Sequence, residues 1–376
     1  MPALQPAAMR KLNQGLTSRA LYGSPALTMA QLLELTSLSR RTTEAILSDL
    51  VESGWVRETP PSPGQYGAGR PPRFFEFKPD NRLLIGVQID LVSVTAVVAD
   101  VRGSILGRRR EQVDSRESPE ETTRVIASAI KAVLRTSGRT KNSVIACTIA
   151  SGGTISDDGY ILSLPNEPAW SNVSIGVALA DTFDFPIFTE NDANLAALGE
   201  QWQGAAQAVD TFIWLIPGQL QGAGIVIRNQ IYRGVNGGAG EIVHAETLGF
   251  GDIQNHPLSY LTSPDPALRG GAELIVAAAR RGDAAALGLF DEFAQVMSGM
   301  LRTLSWTLAP PLIVLGGGVE VAGELLVSRL SAEMERTGAP GVELRASSLG
   351  GDAVLVGAVK YALDRSDVEI FGPLVR

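Results

Sequence analysis

An adjacent amide and carboxylate, Asn191 and Asp192, are the residues of this sequence best placed to do chemistry together. The apolar residues 185–188 before them predict a buried strand, and the Ala- and Leu-rich residues 193–200 predict a helix. In open α/β sheets, ligands bind just outside the carboxyl ends of the strands. A carboxylate there can accept a hydrogen bond from a ligand hydroxyl or take its proton as a general base. The structural alternative is that Asp192 is a helix N-cap, since Asp is a preferred cap, and these residues alone favour neither interpretation.

The chain before this pair predicts the first half of an α/β body. The pattern predicts two strands within residues 83–101, a third at 104–113, a helix, and a buried strand at 144–150. Ser118 and Glu121 form a capping box with Pro119 at the first helical position, so the helix begins there. The last strand leads into a loop that contains Gly152 and Gly153.

The chain after the pair predicts a second half that begins in the same way. Strands at 211–216 and 223–228 flank a glycine-containing turn, and a helix at 290–309 ends at Pro310. A strand at 312–315 then runs into Gly316-Gly317-Gly318, which would let a backbone approach a ligand closely, although a tight strand-to-helix turn needs glycine equally. The repeated order resembles each half of the actin-like, sugar-kinase (ribonuclease H-like) α/β fold.

The front of the chain predicts three helices with a tight turn. Residues 9–22 have helical spacing, and Thr28 with Gln31 forms a capping box for a second helix. Ser39 caps a third, residues 40–52, whose predicted buried residues are Ala45, Ile46, Leu47, Leu50 and Val51. Two short helices joined by a turn are the geometry of helix-turn-helix DNA readers. The alternative is a small helical bundle with a solvated basic turn.

The exposed start of the third helix is the predicted DNA contact. Arg can read guanine edges or phosphates, and Ser and Thr suit phosphates. Two arginines at a helix N-terminus oppose the helix dipole, which favours a function for them. The residues we predict to bind DNA here are Ser39, Arg40, Arg41, Thr42 and Thr43.

The next segment predicts the wing of a winged helix. Residues 55–57 and 73–77 suit two strands, and a Pro/Gly-rich connection joins them. Its tip, Gly69-Arg70-Pro71, would put Arg70 in a minor groove. The alternative is a flexible linker, which explains the flanking strand-like runs poorly.

Composition bounds the class of protein. The 376 residues carry a net charge of −8, but residues 1–80 hold nine Lys/Arg against seven Asp/Glu, so the front is the part that tolerates nucleic acid. The single cysteine, Cys147, excludes an intrachain disulfide and fits a reducing cytoplasm, and its apolar surroundings indicate a core residue. No apolar stretch suits a membrane span or a signal peptide, so we expect a cytoplasmic protein.

Residues 237–244, GGAGEIVH, resemble the GAGEIGH segment of the ROK family, which groups repressors, open reading frames and kinases. Four other pieces resemble that family's NDAN, N-x-x-x-W, LGGGV and LGDDA…GA motifs, at residues 191–194, 166–170, 315–319 and 349–358. The front resembles the winged helix of ROK regulators, including the GRP of the wing. The resemblance therefore covers nearly the whole chain.

The resemblance implies a sugar site. The family's sugar-lining positions correspond here to Asn166, Asn191, Asp192, Glu241 and His244, and we include Gly152 and Gly153. Carboxylates and amides suit such a site because a sugar offers hydroxyls in many directions. For His244 the alternative is a satisfied core histidine. The family's last sugar-binding Glu has two possible counterparts, Glu246 and Glu273.

The sequence departs from the family's pattern in three places. Where ROK kinases carry the phosphate turn DxGGT, this chain has Asp90-Leu91-Val92-Ser93-Val94, without either glycine. The second phosphate turn, usually rich in Gly and Thr, reads GQLQG at 218–222. Residues 245–275 contain no cysteine, so the family's structural zinc cluster is missing, and we expect neither metal nor cofactor.

The sequence therefore predicts a sugar-responsive transcriptional repressor without catalytic residues. Residues 1–80 form a winged helix-turn-helix, 81–190 the first α/β lobe, and 191–376 the second. The expected partners are operator DNA and a sugar or sugar derivative, and paired half-sites call for a homodimer or homotetramer. The alternative is an active ROK sugar kinase with a DNA-binding head, and the altered phosphate turn argues against it.

Overall fold

The computed structural model describes residues 6–60, 72–115, 118–165, 167–244, 250–339 and 341–372. The helices are α1 (Pro6–Tyr22), α2 (Met29–Thr36), α3 (Arg40–Glu52), α4 (Pro119–Thr136), α5 (Ile175–Leu179), α6 (Asp192–Gln203), α7 (Phe250–Asn255), α8 (Pro266–Arg280), α9 (Ala284–Leu308), α10 (Glu324–Arg336), α11 (Ala353–Arg365) and α12 (Asp367–Phe371). The strands are β1 (Leu27–Thr28), β2 (Val56–Thr59), β3 (Phe74–Phe77), β4 (Leu83–Asp90), β5 (Ser93–Asp100), β6 (Ile105–Gln112), β7 (Val144–Ser151), β8 (Thr154–Ile155), β9 (Ile161–Ser163), β10 (Ile187–Asn191), β11 (Phe212–Pro217), β12 (Gln221–Ile227), β13 (Gln230–Ile231), β14 (Leu312–Leu315) and β15 (Glu343–Ala346).

The N-terminal unit is the predicted winged helix. The Thr28 and Gln31 capping box is present at the start of α2, and Ser37 makes the turn to α3 in the left-handed region. Ser39 caps α3 by accepting the Thr42 N–H. Strands β1, β3 and β2 form an antiparallel sheet beside the helices.

The predicted buried face of α3 is wrong at two of its five positions. Ala45 and Val51 are exposed, whereas Ile46, Leu47 and Leu50 are buried as expected. Thr43, predicted at the exposed start, is instead fully buried. The helix is rotated about its axis relative to the expected orientation: it packs against α1, α2 and β2, and its buried side carries Thr43, Ile46, Leu47 and Leu50.

The first half of the body is a sheet in the order β10-β7-β4-β5-β6. Strands β4, β5 and β6 pair antiparallel, and β4, β7 and β10 pair parallel. Helix α4, capped by Ser118, packs its apolar stripe against one face of this sheet. The predicted order of three strands, a helix and a strand is confirmed.

The second half repeats this topology in the order β13-β12-β11-β14-β15. Its antiparallel hairpins come first in the chain, and β14 and β15 add in parallel. Helix α9 supplies Phe290, Phe293 and Met297 to the core beneath this sheet, and its chain turns at Ala309 before Pro310. The two-lobed α/β body of the sugar-kinase type is thus present.

Helices α6 and α11 pack against each other between the two sheets. Helix α6 follows directly from β10, and α11, from the C-terminal part of the chain, returns to lie on β4 and β7 of the first sheet. A Cβ on Gly357 would collide with the Leu195 carbonyl, and one on Gly199 with the Ala353 carbonyl. The two backbones therefore touch without intervening side chains.

The winged helix and the first sheet share one hydrophobic core. Leu21 and Phe75 of the winged helix join Leu84 and Val97 of the first sheet in this cluster. Helices α11 and α12 complete it with residues that include Leu363 and Phe371. The N-terminal unit is consequently seated on the body through buried apolar contact.

Candidate functional site

The strand-to-helix junction between β10 and α6 is where the sequence predicted it. Asn191, rather than Asp192, is the N-cap of α6, because its Oδ1 accepts the Asn194 N–H at 3.0 Å. Its Nδ2 donates to the Gly153 carbonyl at 3.0 Å and to Glu241 Oε1 at 3.2 Å. Asn191 thereby brings together the loop after β7 and the loop after β13.

Asp192 is half-buried at this junction. Its Oδ1 accepts the Ala193 N–H at 2.7 Å. Burial raises the pKa of the Asp192 carboxyl to about 7; the Ala193 hydrogen bond opposes this, and the nearby carboxylates of Glu241 and Asp90 add to it. Near neutral pH this group can therefore either donate or accept a proton.

Two further carboxylates lie near enough to Asp192 to act on it. Burial raises the pKa of Glu241, and the charge of His244 opposes that rise. Burial also raises the pKa of Asp90, with Arg110 opposing. The charges of Glu241 and Asp90 therefore both act on the Asp192 carboxyl.

The loop that carries Glu241 is held against both halves of the body. Gly237 has a positive φ, and a Cβ there would collide with the Ile155 carbonyl of β8. Gly240, also at positive φ, lies against the Ala223 carbonyl of β12, and its own carbonyl accepts the Ala223 N–H at 2.9 Å. These glycines are required because the backbone itself makes the contact.

The remaining predicted sugar residues are only partly brought together. Gly152 lies beside Asp192, and Gly153 accepts the bond from Asn191. His244 is exposed at the end of the same loop as Glu241, so it is not a core histidine. Asn166 and Glu246 lie outside the described residues, and Glu273 is exposed on α8.

Residues 90–94, the counterpart of the first phosphate turn of ROK kinases, form the tip of the β4–β5 hairpin. The carbonyls of Leu91 and Val92 accept the backbone N–H groups of Ser115 and Val113 at 3.1 Å each, and Val92 is 40% exposed. The Asp90 carboxylate is occupied within its own hairpin, since Gln88 Nε2 donates to it at 2.9 Å and Ser93 Oγ at 3.3 Å.

Residues 218–222, the counterpart of the second phosphate turn, direct their N–H groups to acceptors within the protein. The Gln219 N–H donates to the Ser259 carbonyl at 3.2 Å, and the Leu220 N–H donates to Thr262 Oγ1 at 3.1 Å. Gly218 needs its small size because a Cβ there would collide with Thr262. The donors that a phosphate would need are therefore already satisfied by the protein.

The glycine run after β14 serves packing. Cβ atoms on Gly316, Gly317 and Gly318 would meet Trp214, Ile216 and the Leu261 carbonyl. The Gly318 N–H donates to Glu320 Oε2 at 2.7 Å. The sequence left open whether these glycines approach a ligand or make a tight turn, and these contacts favour the turn.

The predicted DNA contact residues divide into two groups. Arg40 and Arg41 are exposed at the start of α3, and Arg40 pairs with Glu44 at 3.0 Å. Ser39 and Thr42 are engaged in the helix cap. Thr43 is fully buried and its Oγ1 donates to the Ser39 carbonyl, so it cannot reach DNA from this face. Arg70 lies outside the described residues.

Sequence reasoning missed several polar and exposed groups. Ala45 is on the exposed face of α3, as is Ser48. Buried Glu190 and half-buried Arg233 form an ion pair next to Asn191. Glu190 lies in β10 and Arg233 in the loop after β13, and neither position alone indicates their pairing.

Three further observations concern metal ligands, the cysteine thiol and membrane-spanning helices. Among the described ranges no cluster of three or more His, Cys, Asp or Glu could hold a metal ion. Cys147 is buried in β7, and burial raises the pKa of its thiol. No helix in the described part of the chain has the length and apolar character needed to cross a membrane.

Comparison with known proteins gives four findings. The model of the ROK family matches residues 84–254. A xylose repressor of Bacillus subtilis is 27% identical over 236 residues, which cover 63% of this chain and 60% of that repressor's length. The structure of a ROK family glucokinase from Streptomyces griseus, in complex with glucose and AMPPNP, is similar at a TM-score of 0.61 with 27% identity, over 75% of this chain and 99% of the other. The structure of a ROK family transcriptional regulator, a homolog of the E. coli MLC protein, matches at 0.72 with 18% identity, over 97% of this chain and 99% of the other, which shows a shared fold.

Proposed function

The chain carries a ROK family domain over residues 84–254, and we propose that it is a sugar-responsive transcriptional repressor. In this proposal the winged helix binds operator DNA, and the body binds a monosaccharide without acting on it. The likeness to a xylose repressor makes xylose the first effector to test, and the likeness to a glucokinase makes glucose the second.

The observation that carries the proposal is the shared core of the winged helix and the first sheet. Tyr22 of α1 packs against Phe371 of α12 at 5.1 Å between ring centroids, and its OH donates to the Val101 carbonyl at 3.0 Å. Arg19 of α1 makes a bidentate pair with Asp367 of α12, both bonds at 2.7 Å. A rearrangement of α11 and α12 would therefore change how the winged helix is seated.

A continuous packed route joins this seat to the proposed sugar site. Asn191 and Asp192 begin α6, and α6 touches α11 backbone to backbone at Gly199 and Gly357. Helix α11 then leads through Ser366 into α12. Because the glycine contact leaves no side chain to absorb a shift, a displacement of α6 on sugar binding would be passed to α11.

The body is proposed to be non-catalytic because its phosphate turns are unsuited to a nucleotide. Leu91 and Val92 bring apolar side chains to the first turn, and the N–H groups of Gln219 and Leu220 are bonded within the protein. Phosphoryl transfer depends on positioning and charge stabilisation of those phosphates. A base alone does not replace that stabilisation.

The second candidate is an active sugar kinase, and Asp192 is the observation that favours it. A carboxyl with a pKa of about 7 is suited to take a proton from a sugar hydroxyl. The likeness to the S. griseus glucokinase points the same way.

One preparation can separate the two candidates. Duplexes would be selected from a random DNA library, and binding of the selected duplex measured by fluorescence anisotropy with and without xylose or glucose. ADP release would be followed in parallel. The repressor proposal expects a selected sequence, a sugar-dependent change in DNA affinity, and no sugar-dependent ADP release. ADP release that is lost in Asp192→Asn would replace it with the kinase.

Oligomeric state is part of the same proposal. Helix-turn-helix proteins bind paired half-sites as symmetric oligomers, so a homodimer or homotetramer is expected. Light scattering of the free protein and of its complex with the selected duplex would measure the subunit number. A monomer bound to a single half-site would contradict this part alone.

A further inference from the structure

An ion pair between a buried carboxylate and a half-buried guanidinium lies directly behind the proposed sugar site. Glu190, the residue before Asn191, is 1% exposed, and its Oε2 lies 3.5 Å from Nε of Arg233. Its Oε1 accepts the Asn191 N–H at 2.8 Å and Asn194 Nδ2 at 3.1 Å. A buried carboxylate is costly unless a charge compensates it. Since Glu190 Oε2 has no hydrogen bond among the described residues, Arg233 supplies that compensation.

The Arg233 side chain also makes hydrogen bonds to the turn after β8 in the first half. Its Nη2 donates to the carbonyls of Ile155 and Ser156 at 3.1 and 3.0 Å, and its Nη1 lies 3.4 Å from Asp157. The same Ile155 carbonyl lies against Gly237. One guanidinium thus fixes both the turn and the glycine loop that rests on it.

The Arg233 backbone holds the other end of this arrangement. Its carbonyl accepts the Ala239 N–H at 3.0 Å, two residues before Glu241. The side chain therefore contacts the residue before Asn191, and the main chain contacts the loop before Glu241. The 3.2 Å hydrogen bond between Asn191 and Glu241 links these two segments directly.

We propose that Arg233 is a positioning residue that sets the distance between Asn191 and Glu241, and so makes the sugar site from two separate halves of the body. Arg233 acts through Glu190, Ile155 and the glycine loop. The effect on sugar binding rests on the proposed function. The effect of Arg233 on the position of the glycine loop does not depend on it.

The test compares Arg233→Met and Arg233→Lys with wild type. Met removes the charge and leaves Glu190 uncompensated, so this variant is the more severe. Lys keeps the charge near Glu190 but lacks the guanidinium fork that reaches two carbonyls. Arg329→Met is the matched control, because Arg329 is also half-buried, pairs with Asp291 at 3.0 Å, and lies in the second half on α10.

Two measurements are made on each full-length protein: calorimetric binding of xylose and of glucose, and hydrogen exchange of residues 234–244. We expect affinity for the bound sugar to fall about tenfold or more in Arg233→Lys, with faster exchange in 234–244 and a melting temperature near wild type. Arg329→Met should leave both readouts unchanged.

The outcomes separate this inference from the proposed function. Wild-type affinity and wild-type exchange in both Arg233 variants overturn the positioning role. If the wild type binds neither sugar, the choice of effector in the proposed function fails, and the exchange of 234–244 alone decides for or against Arg233. If Arg233→Met does not fold, the Lys variant decides the matter by the same two readouts.

Discussion

Asn191 donates its amide hydrogen to Glu241 across 3.2 Å, and this bond joins the edge strand of the first sheet to a loop of the second half. The two residues are fifty positions apart in the sequence. One amide therefore caps a helix, holds the Gly153 carbonyl and orients a carboxylate. A sugar bound beside them would meet acceptors whose directions are already set.

The first prediction replaces the charge of Glu241 and keeps its shape. In Glu241→Gln the Oε1 atom still accepts from Asn191, but a sugar hydroxyl loses a charged acceptor worth about 1.5–3 kcal/mol. We expect sugar affinity to fall roughly tenfold or more by calorimetry. Glu335→Gln, at an exposed position on α10, is the control and should bind as wild type. Equal affinity in both variants would remove Glu241 from the site.

The second prediction concerns pH. Burial raises the pKa of Asp192 from 3.8 to about 7, so between those values the folded state holds a proton that the unfolded state releases. Asp192 therefore stabilises the fold most below its unfolded pKa, and this contribution is lost as pH rises towards 7. Replacement by Asn removes the titration.

Chemical denaturation at several pH values between 4 and 7.5 checks this. The free energy of unfolding of Asp192→Asn should fall less steeply with rising pH than that of wild type, by at most about 1.4 kcal/mol per pH unit. Parallel pH profiles for the two proteins would show that Asp192 titrates near its ordinary value.

Local sequence signals were sufficient for much of the fold and for the centre of the site. The capping residues Thr28 and Ser39, and the strand-to-helix junction at Asn191, depend on neighbours within four positions, so their types predict them. The exposure of Ala45 and the burial of Thr43 could not be predicted in the same way. They depend on the rotation of α3 against α1, α2 and β2, which the sequence of α3 alone leaves open.

The features that the sequence did not predict depend on contacts between distant segments of the chain. The return of α11 to the first sheet and the pairing of Glu190 with Arg233 involve residues far apart in the chain. The glycines at 316–318 fit a ligand loop and a packed turn equally well until Trp214 and Ile216 are known to lie against them. Backbone periodicity carries no information about such partners.

The third prediction separates two kinds of residue that are neighbours in sequence on α3. Arg40→Ala with Arg41→Ala should weaken binding to the selected duplex and flatten its dependence on salt, because fewer counterions are released. Thr43→Val removes one buried hydrogen bond, so it should cost about 1 kcal/mol of stability and leave DNA affinity unchanged.

Fluorescence anisotropy at several salt concentrations measures both effects. The control is Arg281→Ala with Arg302→Ala, which removes two exposed arginines from α9 and the turn before it. A Thr43 variant that folds normally and loses DNA affinity would return Thr43 to the interface. An unchanged salt slope in the Arg40 and Arg41 variant would exclude the start of α3.

The last prediction tests the link between the sugar site and the winged helix. Asp367→Asn weakens the bidentate pair with Arg19 without touching any proposed sugar or DNA residue. We expect each ligand to bind alone with nearly wild-type affinity, while the factor by which sugar changes DNA affinity moves towards one. By linkage, the factor by which DNA changes sugar affinity must shrink equally. Asp291→Asn is the control, since it weakens a similar pair with Arg329 inside the second half. Measuring both factors by titration makes the result self-checking. An Asp367 variant whose two factors both stay at the wild-type value would mean that the signal does not pass through the α1–α12 contact.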